Sequence, residues 1–303
     1  MNADVKLRSA LTQRAAFASV SMAISLLGLK GWAAWQTGSV SMLGSLADTA
    51  LDIVASLVTL FSVRLAAQPA DDDHAYGHGK AEALAALFQT GIISASALAI
   101  GLRGMSQIGA SRAPESPELG IGVSIVAIMA TLALVSFQRY VVRKTGSVAI
   151  EADQVHYASD LVLNASVIAA LFLDSILHIH GSDPVFGIGI GLWLLWHAKE
   201  VAAHAVNQLM DKEWPEEKRE RFLAIARGHP ELKGIHDFRT RSSGSHEFVQ
   251  FHVWVDPAMT ISEAHRVMDE VEARLMVDFP GTEILIHPDP EGHSDPERGI
   301  PAH

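Results

Sequence analysis

The 303-residue chain contains no cysteine. That absence removes disulfides and thiolate metal sites, so any metal chemistry must rest on imidazole, carboxylate and carbonyl ligands. Charge is scarce as well: 19% of the residues are charged against 49% apolar, and the mean hydropathy is positive. A chain so poor in charge is too apolar for an ordinary soluble enzyme of this length and reads as a membrane protein. A basic surplus is also missing. The net charge is −11, with 19 acids and 11 bases in residues 209–303 but 15 acids and 12 bases in residues 1–208. An acidic polar tail therefore follows a nearly neutral apolar body, and neither part suits nucleic acid as a partner.

Six segments approach the roughly 20 residues needed to cross a bilayer: about 12–35, 40–66, 82–108, 119–142, 148–175 and 184–208. The first follows Lys6, Arg8 and Arg14 with no small-residue cleavage site after it, and is read as a retained helix. Arg64, Lys80, Arg139, Arg143 and Lys144 fall on the side of the N-terminal bases, with Arg103 and Arg112 opposite. The positive-inside rule then puts both termini in the cytoplasm. Trp32 and Trp35 suit an interfacial belt.

After Met210 the pattern changes. Pro215 to Arg227 reads as an amphipathic helix, Ile235–Arg241 and Glu247–Val255 as strands joined by SSGS, and Thr260 with Glu263 as a capping box opening a helix to about Phe279. Thr282–His287 supplies a third strand. The expected architecture is an α-helical membrane domain of six spans over 1–208, an αββαβ domain over 209–290 and a disordered tail over 291–303.

Three clusters carry candidate ligands. In the run from Lys30 to Arg64 the only charges are Asp48 and Asp52, spaced i,i+4, and the fifth segment carries His156 and Asp160 at the same spacing. Each pair lies on one face of its helix. An isolated carboxylate at a span's centre costs about 2.5–3.5 kcal/mol. Two faces turned together would offer four ligands for a divalent cation, a shell suited to zinc and usable by cadmium, manganese or iron(II); the bland alternative is a polar network between helices. The second cluster is DDDHAYGHGK, where His74 and His78 with one of Asp71, Asp72 or Asp73 can bind a metal, or simply form a solvated loop. The third comprises His236, His252, His265, His287 and Asp289. Strand alternation puts His252 on the face opposite Val249, Phe251, Val253 and Val255, and gives His287 and Asp289 a shared face. His229, His246, His293 and His303 read as surface or terminal residues, and His178 and His180 as an outer loop.

With these residues in hand, the chain resembles the cation diffusion facilitator family over nearly its whole length. The resemblance rests on SMLGSLADTALDIVASL, PADDDHAYGHGKAEALAAL, EADQVHYASDLVLNA, GIHDFRTR and ILIHPDP. It implies a ferredoxin-like cytoplasmic tail and a homodimer in the bacterial inner membrane, a secondary transporter and not an enzyme, exchanging cytoplasmic metal for protons. The resemblance further implies a transport site at Asp48, Asp52, His156 and Asp160, and a loop site at Asp71, His74 and His78. In the tail it implies a two-metal site at His236, His252, His265, His287 and Asp289, with the aspartate bridging and zinc as the structural ion. Pro288 stands where relatives can have glutamine, and Lys80 and Asp211 match a family salt bridge. Zinc, cadmium and iron(II) are the expected cargo. His156, titrating near neutrality, and Asp48 are the expected proton-coupling groups. A membrane-anchored metal sensor and a manganese- or iron-selective transporter of the same family are the rival readings.

Overall fold

A computed structural model of the chain describes residues 3–37, 40–107, 118–177 and 182–293; within these helices some side chains, Asp48 among them, lie outside the description. The His178, His180, Arg112 and His303 expectations also fall outside the described residues. The chain divides into two compact units, Arg8–Val206 and Asn207–His303 with Met1–Leu7.

The larger unit is built from six long helices: α1 (Ala3–Thr37), α2 (Val40–Ala66), α3 (Ala81–Gln107), α4 (Glu118–Thr145), α5 (Val148–Leu177) and α6 (Ser182–Leu209). Five are long and apolar enough to cross a membrane, and α5, which carries Glu151, Asp153, His156 and Asp160, is the sixth. α5 packs against α2, α3 and α4. Small residues permit close approach: Ala15, Ala16 and Ala149 sit with Val20, Leu60, Val63, Val141 and Ile150 in one buried cluster. Where α6 crosses α3, a Cβ added at Gly191 would lie 2.8 Å from the Ala97 carbonyl oxygen, so only glycine fits that crossing. Large apolar side chains such as Phe61, Leu98, Met129 and Trp196 are exposed, as expected for helices whose outer faces meet lipid.

The smaller unit follows the expected αββαβ order: α7 (Glu216–Arg227), β1 (Gly234–Ser243), β2 (His246–Val255), α8 (Ile261–Asp278) and β3 (Thr282–Pro290). The sheet order is β1-β2-β3, with β1 antiparallel and β3 parallel to β2. Val249, Phe251, Val253 and Val255 face the core with Phe222, Val267, Val271 and Leu275, which leaves His252 on the opposite face, as strand alternation requires. Thr260 caps α8: its hydroxyl accepts from the Glu263 amide while the Glu263 side chain receives the Thr260 amide. His229, expected on the surface, is instead buried with its Nε2 3.2 Å from Glu270. Glu270 and Glu231 both pair with Arg266, so this group is a structural ion-pair network.

Candidate metal centre

In the membrane unit, α2 and α5 turn their polar faces together. His156 Nε2 lies 3.0 Å from Asp52 Oδ1, and Asp52, His156 and Asp160 each offer one ligand atom within 4.8 Å of the others. The His156 and Asp52 side chains are 11% and 17% exposed, mostly withdrawn from solvent yet not sealed. Spacing explains the convergence: Asp160 follows His156 by one turn, so a single helix face delivers both. The α2 backbone places Asp48 one turn before Asp52 on the same helix, and its side chain lies outside the described residues.

Behind this trio is a set of polar residues that the sequence-based candidate list omits. Tyr157 is buried, exchanges a 2.9 Å hydrogen bond with Ser56 and donates to the Ser19 carbonyl oxygen at 3.1 Å, tying α5 to α2 and α1. Asp153 is wholly buried, with amide donors from Gln89 on α3 and Gln138 on α4. The cost argument that singled out Asp48 and Asp52 applies equally to Asp153, and that was the signal available in the sequence.

The segment between α2 and α3 resolves the choice among three aspartates geometrically. Asp71 Oδ1 accepts from the backbone amides of Asp73 and His74 and lies 3.1 Å from His74 Nδ1, while its Oδ2 is 3.3 Å from His78 Nε2. The His74 backbone amide, more than its imidazole or that of His78, holds the Asp71 carboxyl below the usual range against slight desolvation. An ionised Asp71 beside two imidazoles is a usable donor set. His78 turns its Nε2 to this carboxylate, and its Nδ1 is buried with no hydrogen-bond partner. Gly77, at φ 74°, makes the turn that lets both imidazoles return to Asp71.

In the smaller unit the register aligns three histidines. His236 pairs with His252 across β1–β2, and His252 with His287 across β2–β3. Asp289, two residues further along β3, is buried on the same face and reaches all three: 2.9 Å to His252 Nδ1, 3.3 Å to His236 Nε2 and 3.4 Å from its other oxygen to His287 Nε2. Burial works to raise the Asp289 carboxyl, but the His252 hydrogen bond and the surrounding imidazoles outweigh it and hold it below the usual range. His236 Nδ1 is buried without a partner. His236, His252 and Asp289 each offer one ligand atom within 4.8 Å of the others, a set that fits a zinc-class cation, and His287 joins it through the second oxygen of Asp289.

His265 departs from this arrangement. It lies on α8, highly exposed and 3.8 Å from Asp269, and is not among the residues that converge on Asp289 within one chain. The reason is topological: α8 packs on the core face of the sheet, whereas the histidine row occupies the other face.

With these centres described, comparison with known proteins is decisive at the family level. Residues 16–210 match the family described as the cation efflux transmembrane domain, and residues 214–291 match the cation efflux protein cytoplasmic domain. The chain belongs to the cation diffusion facilitator family, a family of multi-pass membrane transporters and not of catalytic enzymes. It is 44% identical over 280 residues to the cation-efflux pump FieF of Shigella flexneri, covering 92% of this chain and 93% of that protein. The Klebsiella pneumoniae pump of the same name is 43% identical over the same span. Among solved structures, the Zn form of CzrB is 37% identical over 28% of this chain and 99% of its own, at a TM-score of 0.26. The metal-bound C-terminal domain of the CzcD transporter from Thermotoga maritima is 19% identical over 27% and 100%, also at 0.26.

Proposed function

We propose that the protein is a homodimeric antiporter that exports a divalent cation, zinc first and cadmium or iron(II) as alternatives, in exchange for protons. The observation that carries this reading is the convergence of Asp52, His156 and Asp160 between α2 and α5. Asp48, one turn from Asp52, is the fourth ligand. A cation there compensates carboxylates that are expensive in a membrane, and in its absence protons do the same work.

Coupling follows from ligand chemistry. Metal binding needs a neutral imidazole and ionised carboxylates, so it displaces protons, and protonation of the emptied site from the opposite side drives the metal off. His156 is the principal proton-exchanging ligand, with Asp48 as the second. Alternating exposure of one midplane site to the two sides completes the cycle. This scheme favours a transporter over a metal sensor anchored in the membrane, because an anchor has no need of intramembrane ligands. The basic residues of the loops orient the chain with both termini in the cytoplasm, and the homology to bacterial efflux pumps favours the inner membrane.

The division of labour follows the chain: residues 1–208 transport, residues 209–290 bind metal and support the dimer, and 291–303 are a polar extension. Asp71, His74 and His78 form a loop site that captures cytoplasmic cations. Structural zinc is held by His236, His252, His287 and Asp289, with Asp289 bridging two ions. His265, directed away from that cluster in its own chain, is supplied by the partner protomer. When bound, the zinc pair contributes cross-linking of folded elements and neutralises Asp289.

Selectivity provides the test. One imidazole among carboxylates favours zinc over harder ions, so His156→Asp is expected to shift preference toward cadmium or manganese. Metal competition in a reconstituted transport assay reads this directly, and an unchanged order of preference would count against His156 as the selecting ligand.

A further inference from the structure

Asp153 sits on α5 one helical turn before His156, wholly buried where α1, α2, α3 and α4 contribute polar side chains. Its hydrogen-bond donors are neutral: Gln89 Nε2 lies 3.2 Å from Oδ1, Gln138 Nε2 lies 2.7 Å from Oδ2, and the Ser19 hydroxyl is a third. Those amides are fully committed. Gln138 gives its other N–H to Ser19 Oγ at 2.9 Å, and the other N–H of Gln89 is shared between the Thr59 hydroxyl oxygen and the Ala55 carbonyl oxygen at 3.3 Å. Of the two hydroxyls, Thr59 reaches the Ala55 carbonyl oxygen at 3.3 Å, while Ser19 is shared between the Ala15 carbonyl oxygen at 3.1 Å and Asp153. Two acceptors are then left over: Gln89 Oε1 and Gln138 Oε1 are both buried without a hydrogen-bond partner.

The hub therefore leaves two buried amide oxygens without a hydrogen beside a carboxylate inside a membrane domain. Buried acceptors without donors are costly, and so is a buried charge whose facing base, His156, lies a helical turn away. One added hydrogen removes the charge and supplies a donor. A protonated Asp153 is neutral and presents an O–H, and a half-turn of either glutamine amide, which exchanges its oxygen and nitrogen, brings an orphaned oxygen to meet it.

We propose that Asp153 is a proton-binding site of this transporter, occupied in the metal-free protein and emptied when the cation enters the Asp52–His156–Asp160 centre. The entering dication makes the ionised carboxylate favourable from one helical turn away, and the proton leaves to the water on the side from which the metal came. When the metal departs, Asp153 takes a proton back from the water on the opposite side. The titratable groups facing it are His156 and Tyr157 on α5, with Asp52 and Asp160 beyond them; α1, α2, α3 and α4 present Ser19, Thr59, Gln89 and Gln138. The release step rests on the antiport reading, whereas the resting proton on Asp153 does not.

Infrared difference spectroscopy of the full-length protein at neutral pH, metal-free against zinc-loaded, tests it. The wild type is expected to show a protonated-carboxyl carbonyl band that zinc removes. Asp153→Asn should lose the Asp153 part of that band, leaving only what Asp48 contributes, and release one proton fewer per protomer on zinc addition while still binding zinc. A metal-free wild type with no such band would overturn the proposal, and that result stands even if the variant fails to fold. So would an Asp153→Asn protein with both band and proton release intact. A zinc-sensitive Asp153 band in a wild type whose vesicles move zinc without net proton transport would support the proposal and count against antiport.

Discussion

His156→Ala is expected to reduce zinc transport in reconstituted vesicles by two to three orders of magnitude. The imidazole is the only nitrogen ligand in the trio, and its Nε2 stands 3.0 Å from Asp52. Removing one partner from a mostly buried charged set costs about 3–5 kcal/mol, because the remaining carboxylates lose both a ligand-sharing cation and a hydrogen-bond donor. At about 1.4 kcal/mol per tenfold, that amounts to a loss of roughly 10² to several times 10³ in affinity. The zinc-driven proton flux should fall in parallel, since the same group carries both. A His156→Ala protein with wild-type flux would remove the centre from the mechanism. Loss of flux with unchanged zinc affinity would instead place His156 in the proton step alone.

The second large effect is expected at Asp289. Substitution by asparagine preserves shape but removes the charge that faces His236, His252 and His287. Zinc content of the cytoplasmic domain should drop, with affinity weakened on the order of 100-fold, comparable to the upper range for disturbing a metal site's supporting groups. The dimer should weaken with it. Zinc titration with the transport and loop sites disabled by Asp52→Ala and Asp71→Ala isolates the effect, and full retention of metal by Asp289→Asn would contradict the assignment. The metal-free protein carries its own signature. The Asp289 carboxyl is held below its ordinary value of 3.8, so its contribution to stability is complete above that value and is lost as the pH falls through the lowered one. The stability gap between wild type and Asp289→Asn should therefore be present at neutral pH and vanish in strong acid.

Much of this was legible in the sequence because the relevant signals are local. Helical spacing puts His156 and Asp160 on one face, and strand alternation puts His252 opposite the valines and phenylalanine of its strand. The Thr260–Glu263 cap needs only four residues and is found as expected. What was not legible depends on chain geometry beyond that range. Asp71, and not Asp72 or Asp73, meets the loop histidines because its carboxylate closes a turn on the His74 amide. The irregular pairing after His236, where Asp237 adopts φ 48°, is a local event that strand patterning does not announce. His265 shares chemistry with the histidine row, but α8 carries it to the other side of the sheet. The Asp153 hub is assembled from five helices, and its glutamines and serines are unremarkable singly.

The central claim is that metal and protons exchange across one centre. Full-length protein in sealed vesicles, given external zinc at matched pH with a pH dye and a zinc dye trapped inside, tests it most directly. The account predicts that zinc entry is accompanied by proton exit in fixed proportion, and that an opposing pH gradient drives zinc back out. Zinc entry with no proton movement, at a rate indifferent to the gradient, would contradict it and describe a passive channel.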